Sequence, residues 1–221
     1  MPFLAMAASS KIVDLRHLLA ERFPQPHTPP AARLATHLPA LDLASGGGLS
    51  KGGITELTSP NLSAGSALLL YRLLETAHQE RYFLALVDGR DSFDPTPLGN
   101  SRLRNLLWVR CTRAIDAIKA SDFLLRDGNF PLVVLDLVLN PAEELRKIPQ
   151  TSWYRLQRLV EAVPSAFLVL TRRSLISSAQ LKLVLDNTWS LRNLREDDNC
   201  ARLKFQVQRM QGGRQEIGSA G

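Results

Sequence analysis

Residues 82–88 (YFLALVD), 131–139 (PLVVLDLVL) and 166–173 (AFLVLTRR) form runs that are apolar at nearly every position. A strand with one wet face alternates apolar and polar residues. A strand that is apolar throughout is covered on both faces, as in a parallel sheet lying between layers of helix. Residues 54–59 (ITELTS) read as a buried strand of the same kind, and 105–111 (NLLWVRC) as another. Between these runs the spacing changes to that of helices. Residues 64–80 place Leu69, Leu73, Leu74 and Ala77 on one face, residues 114–128 look helical and stop at Gly128, and residues 151–163 are amphipathic. Strands alternating with helices predict an α/β fold with a mostly parallel sheet flanked by helices. Residues 188–194 (TWSLRNL) and 202–210 (RLKFQVQRM) alternate and predict a C-terminal antiparallel hairpin.

Upstream, Ile12, Leu15, Leu18, Leu19 and Phe23 fall at helical spacing, and PQPHTPP follows at 24–30. Four prolines in seven residues cannot continue a helix. The expected organisation is an N-terminal helix and proline-rich tether at 1–30, a core at 31–211 and a tail at 212–221. The apolar stripe of Ile12, Leu15, Leu19 and Phe23 needs a partner surface, since an isolated helix of this length is marginal in water. It is expected to serve as an assembly arm, against a second copy or a polymerase partner, the competing outcome being an intramolecular dock.

The run TSPNLSAGSALLL, residues 58–70, sits between a strand and a helix, where a phosphate-binding loop belongs. Such a loop works because backbone N–H groups and a helix N-terminus face the phosphates, while a lysine bridges the outer ones and a hydroxyl holds magnesium. Here the turn is Pro60-Asn61-Leu62-Ser63-Ala64-Gly65-Ser66, with no lysine. Taken alone it reads as an ordinary strand–turn–helix connection.

Its surroundings carry more. Residues 41–70 (LDLASGGGLSKGGITELTSPNLSAGSALLL) resemble the opening of the RecA ATPase core, and resemble still more closely the RecA-like ImuA proteins, accessories of SOS-induced mutagenic DNA synthesis. The similarity continues, in order, through VDGRDSFDP (87–95), LLWVRC (106–111) and GNFPLVVLDLV (128–138), and covers roughly 41–192. The resemblance implies a RecA-like fold. Carried over by position, Gly65 stands for the loop lysine. Asp88 matches the Asp of the second strand, and Arg90 holds the place of the water-activating glutamate. Asp136 matches the aspartate that orients magnesium, although a strand-end Asp equally serves as a local cap. Pro60, Asn61, Ser63, Gly65, Ser66 and Asp136 therefore outline a vestigial nucleotide site with no catalytic residue, no bound cofactor and no metal. General-base assistance is typically worth ~10²–10⁴-fold in rate, so its loss nearly silences turnover.

The implied role is that of a non-catalytic adaptor in DNA-damage tolerance. Its partners would be an ImuB-like homologue of the Y-family polymerases and an error-prone replicative-type polymerase. The alternative is a SulA-like inhibitor of cell division that binds FtsZ, and a third reading is a nucleotide switch with an unusual loop. The chain has 221 residues and a formal net charge of +6, with a pI near 9.7. That balance is compatible with sequence-independent DNA contact or with an acidic partner. Arg172 and Arg173 close a strand, and Arg102, Arg104 and Arg110 cluster in SRLRNLLWVR; these are the candidate DNA or partner contacts. Arg202, Lys204 and Arg209 decorate the last strand. Trp108, Trp153 and Trp189 read as core or interface residues. Cys111 and Cys200 are too far apart for metal-ligand spacing and read as free thiols of a reducing cytosol. The expected location is cytoplasmic, without membrane contact.

Overall fold

The computed structural model describes residues 32–61, 64–187 and 202–210, all within one compact unit, Ala32–Gly221. The predicted tether, the arm residues Ile12, Leu15, Leu19 and Phe23, and Ser63, Trp189 and the tail lie outside the described residues.

A small ribbon opens the unit. β1 (Arg33–Leu34) pairs antiparallel with β2 (Leu49–Ser50), and α1 (Pro39–Ser45) lies between them. The Arg33 guanidinium donates to the carbonyls of Ser45 and Gly48 and ties the ribbon to the end of the helix.

Seven strands form the main sheet: β3 (Gly53–Thr58), β4 (Leu84–Asp88), β5 (Leu106–Arg110), β6 (Leu132–Asp136), β7 (Ala166–Thr171), β8 (Leu181–Leu185) and β9 (Phe205–Met210). Their spatial order is β5-β4-β6-β7-β3-β8-β9. Every pairing is parallel except β8 with β9. The helices are α2 (Ser66–Gln79), α3 (Gly99–Leu103), α4 (Ala114–Asp127), α5 (Ala142–Arg146) and α6 (Gln150–Glu161).

The continuous apolar runs supply both faces, because alternate side chains of a strand point opposite ways. Leu84, Leu86, Leu132, Val134, Leu168 and Leu170 face α2 and its Leu69, Leu73, Leu74 and Ala77. Ala85, Val87, Val133, Leu135, Phe167 and Val169 face α4 and α6, through Ala117, Ile118, Leu125, Trp153 and Leu156. α4 ends at Gly128, whose φ of 70° closes the last turn.

One expectation needs correcting. The antiparallel partner of β9 is β8 (LKLVL), which lies upstream of the segment expected to pair with it. The alternating burial of Leu181, Leu183 and Leu185 is what makes this segment a strand, and it lies parallel to β3. The segment TWSLRNL, assigned to the hairpin from its pattern, is outside the described residues. Among the described residues no helix is long and apolar enough to cross a membrane.

Candidate functional site at the carboxyl edge of the sheet

The central strands run level. Asp88 is registered with Asp136, Asp136 with Leu170, and Leu170 with Leu57. All four loops that follow these strands therefore leave along one edge, where open α/β sheets build their sites.

The backbone after β3 stays tied to β7 for one more residue. The Ser59 N–H donates to the Thr171 carbonyl (2.7 Å), and the Ala64 N–H to that of Asn61 (3.2 Å). Gly65 is the N-cap of α2, with φ 104° and no side-chain cap. Gly65, which the resemblance sets in place of a lysine, is thus a left-handed backbone position that suits glycine. Pro60 and Asn61 are exposed and Ser66 is partly buried.

Asp88 is buried and organises the next loop. Its carboxylate accepts the N–H groups of Arg90 (3.2 Å), Ser92 (2.7 Å) and Phe93 (2.8 Å), so it acts as a cap. Gly89 follows because nothing larger fits: a Cβ there would lie 2.4 Å from Asn140 Oδ1 and 2.8 Å from the Asp136 carbonyl. Arg90 turns outward. It donates to the Thr112 carbonyl (3.0 Å) and lies 4.0 Å from Glu144. Asp136 accepts the Val138 N–H at 2.9 Å. Burial pushes its carboxyl up to about 6, the Val138 N–H opposes this, and the neighbouring Asp88 charge adds to it.

No family model matches the chain. About half of it is similar to proteins named RecA. The RecA of Chlorobaculum parvum is 36% identical over 118 residues, 51% of this chain and 33% of that protein. That of Nostoc sp. is 33% identical over 108 residues, 48% of this chain and 30% of that one. That of Brucella anthropi is 35% identical over 112 residues, 48% and 30%. The chain spans about a third of the length of these relatives.

The fold is RecA-like. Within this RecA-like core, the candidate cations do not form one patch. Arg102 and Arg104 precede β5 and Arg110 ends it, so the sequence cluster is divided between the two ends of a strand about 13 Å long at ~3.3 Å per residue. Arg102 pairs with Glu75 at 3.3 Å. Arg110 holds Asp91 through two contacts, the longer at 2.7 Å, and lies 4.9 Å from the Trp108 ring centre. Trp108 packs edge-on against Phe93, which meets Tyr71, so this side is an internal cluster that fixes the loop after β4. Trp153 is core. Arg209 donates to the carbonyls of Ser177 and Ala179.

Arg172 and Arg173 are placed differently. They begin the loop after β7 and line a groove of 570 Å³ with Arg146, Val138, Leu139, Leu145 and Leu175. Arg172 makes one long contact, 3.5 Å, to the Pro60 carbonyl. Arg146 reaches the Ala142 carbonyl of its own helix at 3.3 Å. None of the three arginines pairs with a carboxylate among the described residues.

Two residues that the sequence reading passed over hold this edge together. Glu56 lies mid-strand in β3, fully buried. It accepts from Ser174 Oγ (2.9 Å) and from the N–H groups of Leu175 and Ile176, and Lys182 Nζ approaches to 3.1 Å. Asn140, also buried, donates to the Gly89 carbonyl at 2.8 Å and links the loops after β4 and β6. The signal for Glu56 was available: an ionised residue inside a strand covered on both faces requires partners.

Proposed function

We propose that this chain is a RecA-fold adaptor that does not turn over ATP and acts in DNA-damage tolerance. In this reading it holds a polymerase-like protein of the ImuB kind, together with an error-prone replicative-type polymerase. The carrying observation is the pair of substitutions on the RecA-like frame. Gly65 occupies the phosphate-clamp position as a left-handed N-cap. Arg90 occupies the position of the activating acid and is engaged with Thr112 and Glu144. A cation there cannot accept a proton from water, and the loop has no cation for the outer phosphates. Asp136 and Ser66 are the remaining parts of a site for magnesium and nucleotide, and these residues do not fit such a group. The backbone turn instead packs α2 onto the sheet. The ordered resemblance over 41–192 to the ImuA proteins supports the cellular role.

Two measurements test the reading. Phosphate release with ATP and magnesium is expected to equal the buffer blank, and calorimetry is expected to show no micromolar binding. A missing charge-assisted contact of ~1.5–3 kcal/mol weakens affinity roughly 10–150-fold. Micromolar ATP affinity that disappears in Asp136→Ala contradicts the proposal. Pull-down from DNA-damaged cells separates the adaptor from the cell-division alternative, with polymerase subunits supporting the first and a tubulin-like protein the second.

A further inference from the structure

We propose that the groove between the loops after β6 and β7 docks an acidic segment of a protein partner, seating one or two aliphatic side chains among Val138, Leu145 and Leu175 and setting carboxylates on Arg146, Arg172 and Arg173. The inference rests on the adaptor reading and names the surface that the adaptor uses. The volume, 570 Å³, is that of a ligand pocket. Its walls are apolar, and Leu139, 49% exposed, extends them to the rim. Arg172 and Arg173 are exposed. Other exposed arginines of this core, such as Arg90, Arg110, Arg113, Arg126 and Arg155, have carboxylates within 4.0 Å. Among the described residues the three at the groove do not, nor do Arg81, Arg104 and Arg158, but Arg146, Arg172 and Arg173 are gathered around one apolar groove, where their charge can meet a ligand. Guanidinium–carboxylate pairs are the strong, directional form of such contacts.

Charge also selects the occupant. The chain carries +6, so a second copy offers little attraction. The N-terminal arm, with Lys11, Arg16 and Arg22 against Asp14 and Glu21, is itself net positive. Single-stranded nucleic acid is disfavoured by the lining. Sequence-tolerant strand binding relies on aromatic side chains for base stacking, and among the described residues no Phe, Tyr or Trp lines this groove. The buried Glu56 fixes Ser174, Leu175 and Ile176, and with them the start of the loop that bears both arginines. One wall of the groove is thereby fixed in place.

The test uses the full chain and fluorescence anisotropy. The probes are a labelled twelve-residue peptide of alternating aspartate and leucine, its asparagine–leucine and aspartate–serine counterparts, and a labelled oligothymidine. The acidic apolar peptide is expected to bind, and each counterpart to bind about tenfold more weakly or worse. Arg172→Glu with Arg173→Glu, and separately Arg146→Glu on the other wall, are expected to reduce peptide affinity at least about tenfold while leaving the circular dichroism spectrum unchanged. Equal binding of the asparagine peptide, or no peptide binding, overturns the proposal. So does oligothymidine binding more tightly than peptide with a log–log salt slope near −2, roughly 0.7 for each of three phosphates. A mass doubling in light scattering that the arginine variants abolish reassigns the groove to a second copy. The chain also contains the acidic run Glu196-Asp197-Asp198. Peptide binding that emerges only after these are changed to amides overturns the assignment to a partner. Capture of the purified polymerase-like protein separates the two levels. Capture by wild type and equally by the arginine variants sinks the groove alone, whereas no capture by wild type sinks the adaptor reading, and the peptide data then decide the groove.

Discussion

Lys182→Met is expected to destabilise the chain by about 3–5 kcal/mol, the usual consequence of leaving a buried charge without its counter-ion. Glu56 has no exposed surface, and the Lys182 side chain is 14% exposed. The two residues are direct neighbours on β3 and β8. Without the ammonium, the Glu56 carboxylate keeps only neutral donors from Ser174, Leu175 and Ile176. For a domain of this size each kcal/mol shifts Tm by roughly 2–4 °C, so a drop of about 10 °C is expected. The double variant Glu56→Gln with Lys182→Met removes both charges and keeps an acceptor for the loop N–H groups. It is expected to recover part of the loss, which a double-mutant cycle by chemical denaturation measures directly. Hydrogen exchange at residues 174–176 is expected to accelerate in the single variant before the rest of the sheet responds. A change within ~0.5 kcal/mol in the single variant means that the pair behaves as a surface ion pair, and the clamp described here is then wrong.

This clamp marks where sequence reading stops. β3, β4, β6 and β7 were legible because each carries apolar residues on both faces, a pattern that only a covered parallel strand explains. α2 and α4 were legible from their spacing, and Gly128 marked an end. β8 was not, because Lys182 interrupts a five-residue apolar run and resembles a solvated connector until Glu56 is seen beside it. The ribbon of β1 and β2 has two residues per strand and depends on the Arg33 side chain, which no periodicity reveals. At the site, the roles proposed for Gly65 and Arg90 rest on their positions within ordered blocks of the resemblance. The groove was not, because its walls come from residues 138–146 and 172–175, which adjoin only through the pairing of β6 with β7. The arginines of SRLRNLLWVR show the reverse error. They are close in sequence and are separated by the length of β5.

The carboxyl of Asp136 supplies a test of the site that is independent of any partner. Its ordinary value is 3.8, and in the folded chain burial raises it to about 6. The folded state therefore holds a proton between these values that the unfolded state has released. The contribution of Asp136 to stability is therefore highest below about pH 4, falls as pH rises to 6, and stays at the lower level above that. At 1.36 kcal/mol per tenfold change this amounts to about 3 kcal/mol, and partial exposure at the strand end reduces it to about 2 kcal/mol. Asp136→Asn carries no charge and retains an oxygen for the Val138 N–H. It is expected to be about 2 kcal/mol more stable than wild type at pH 7.5, equal to it near pH 4, and without the intervening decline. Denaturation at four or five pH values checks this, and a variant less stable at pH 7.5 contradicts it. The same pair of proteins then reports on nucleotide. A bound divalent cation neutralises Asp136 as the amide does, so a chain that used magnesium and ATP would gain stability from them in the wild type and not in Asp136→Asn. Under the adaptor reading, neither protein is expected to gain stability from magnesium and ATP. A selective gain in the wild type would show that this edge still binds nucleotide, and the adaptor would then be a nucleotide switch.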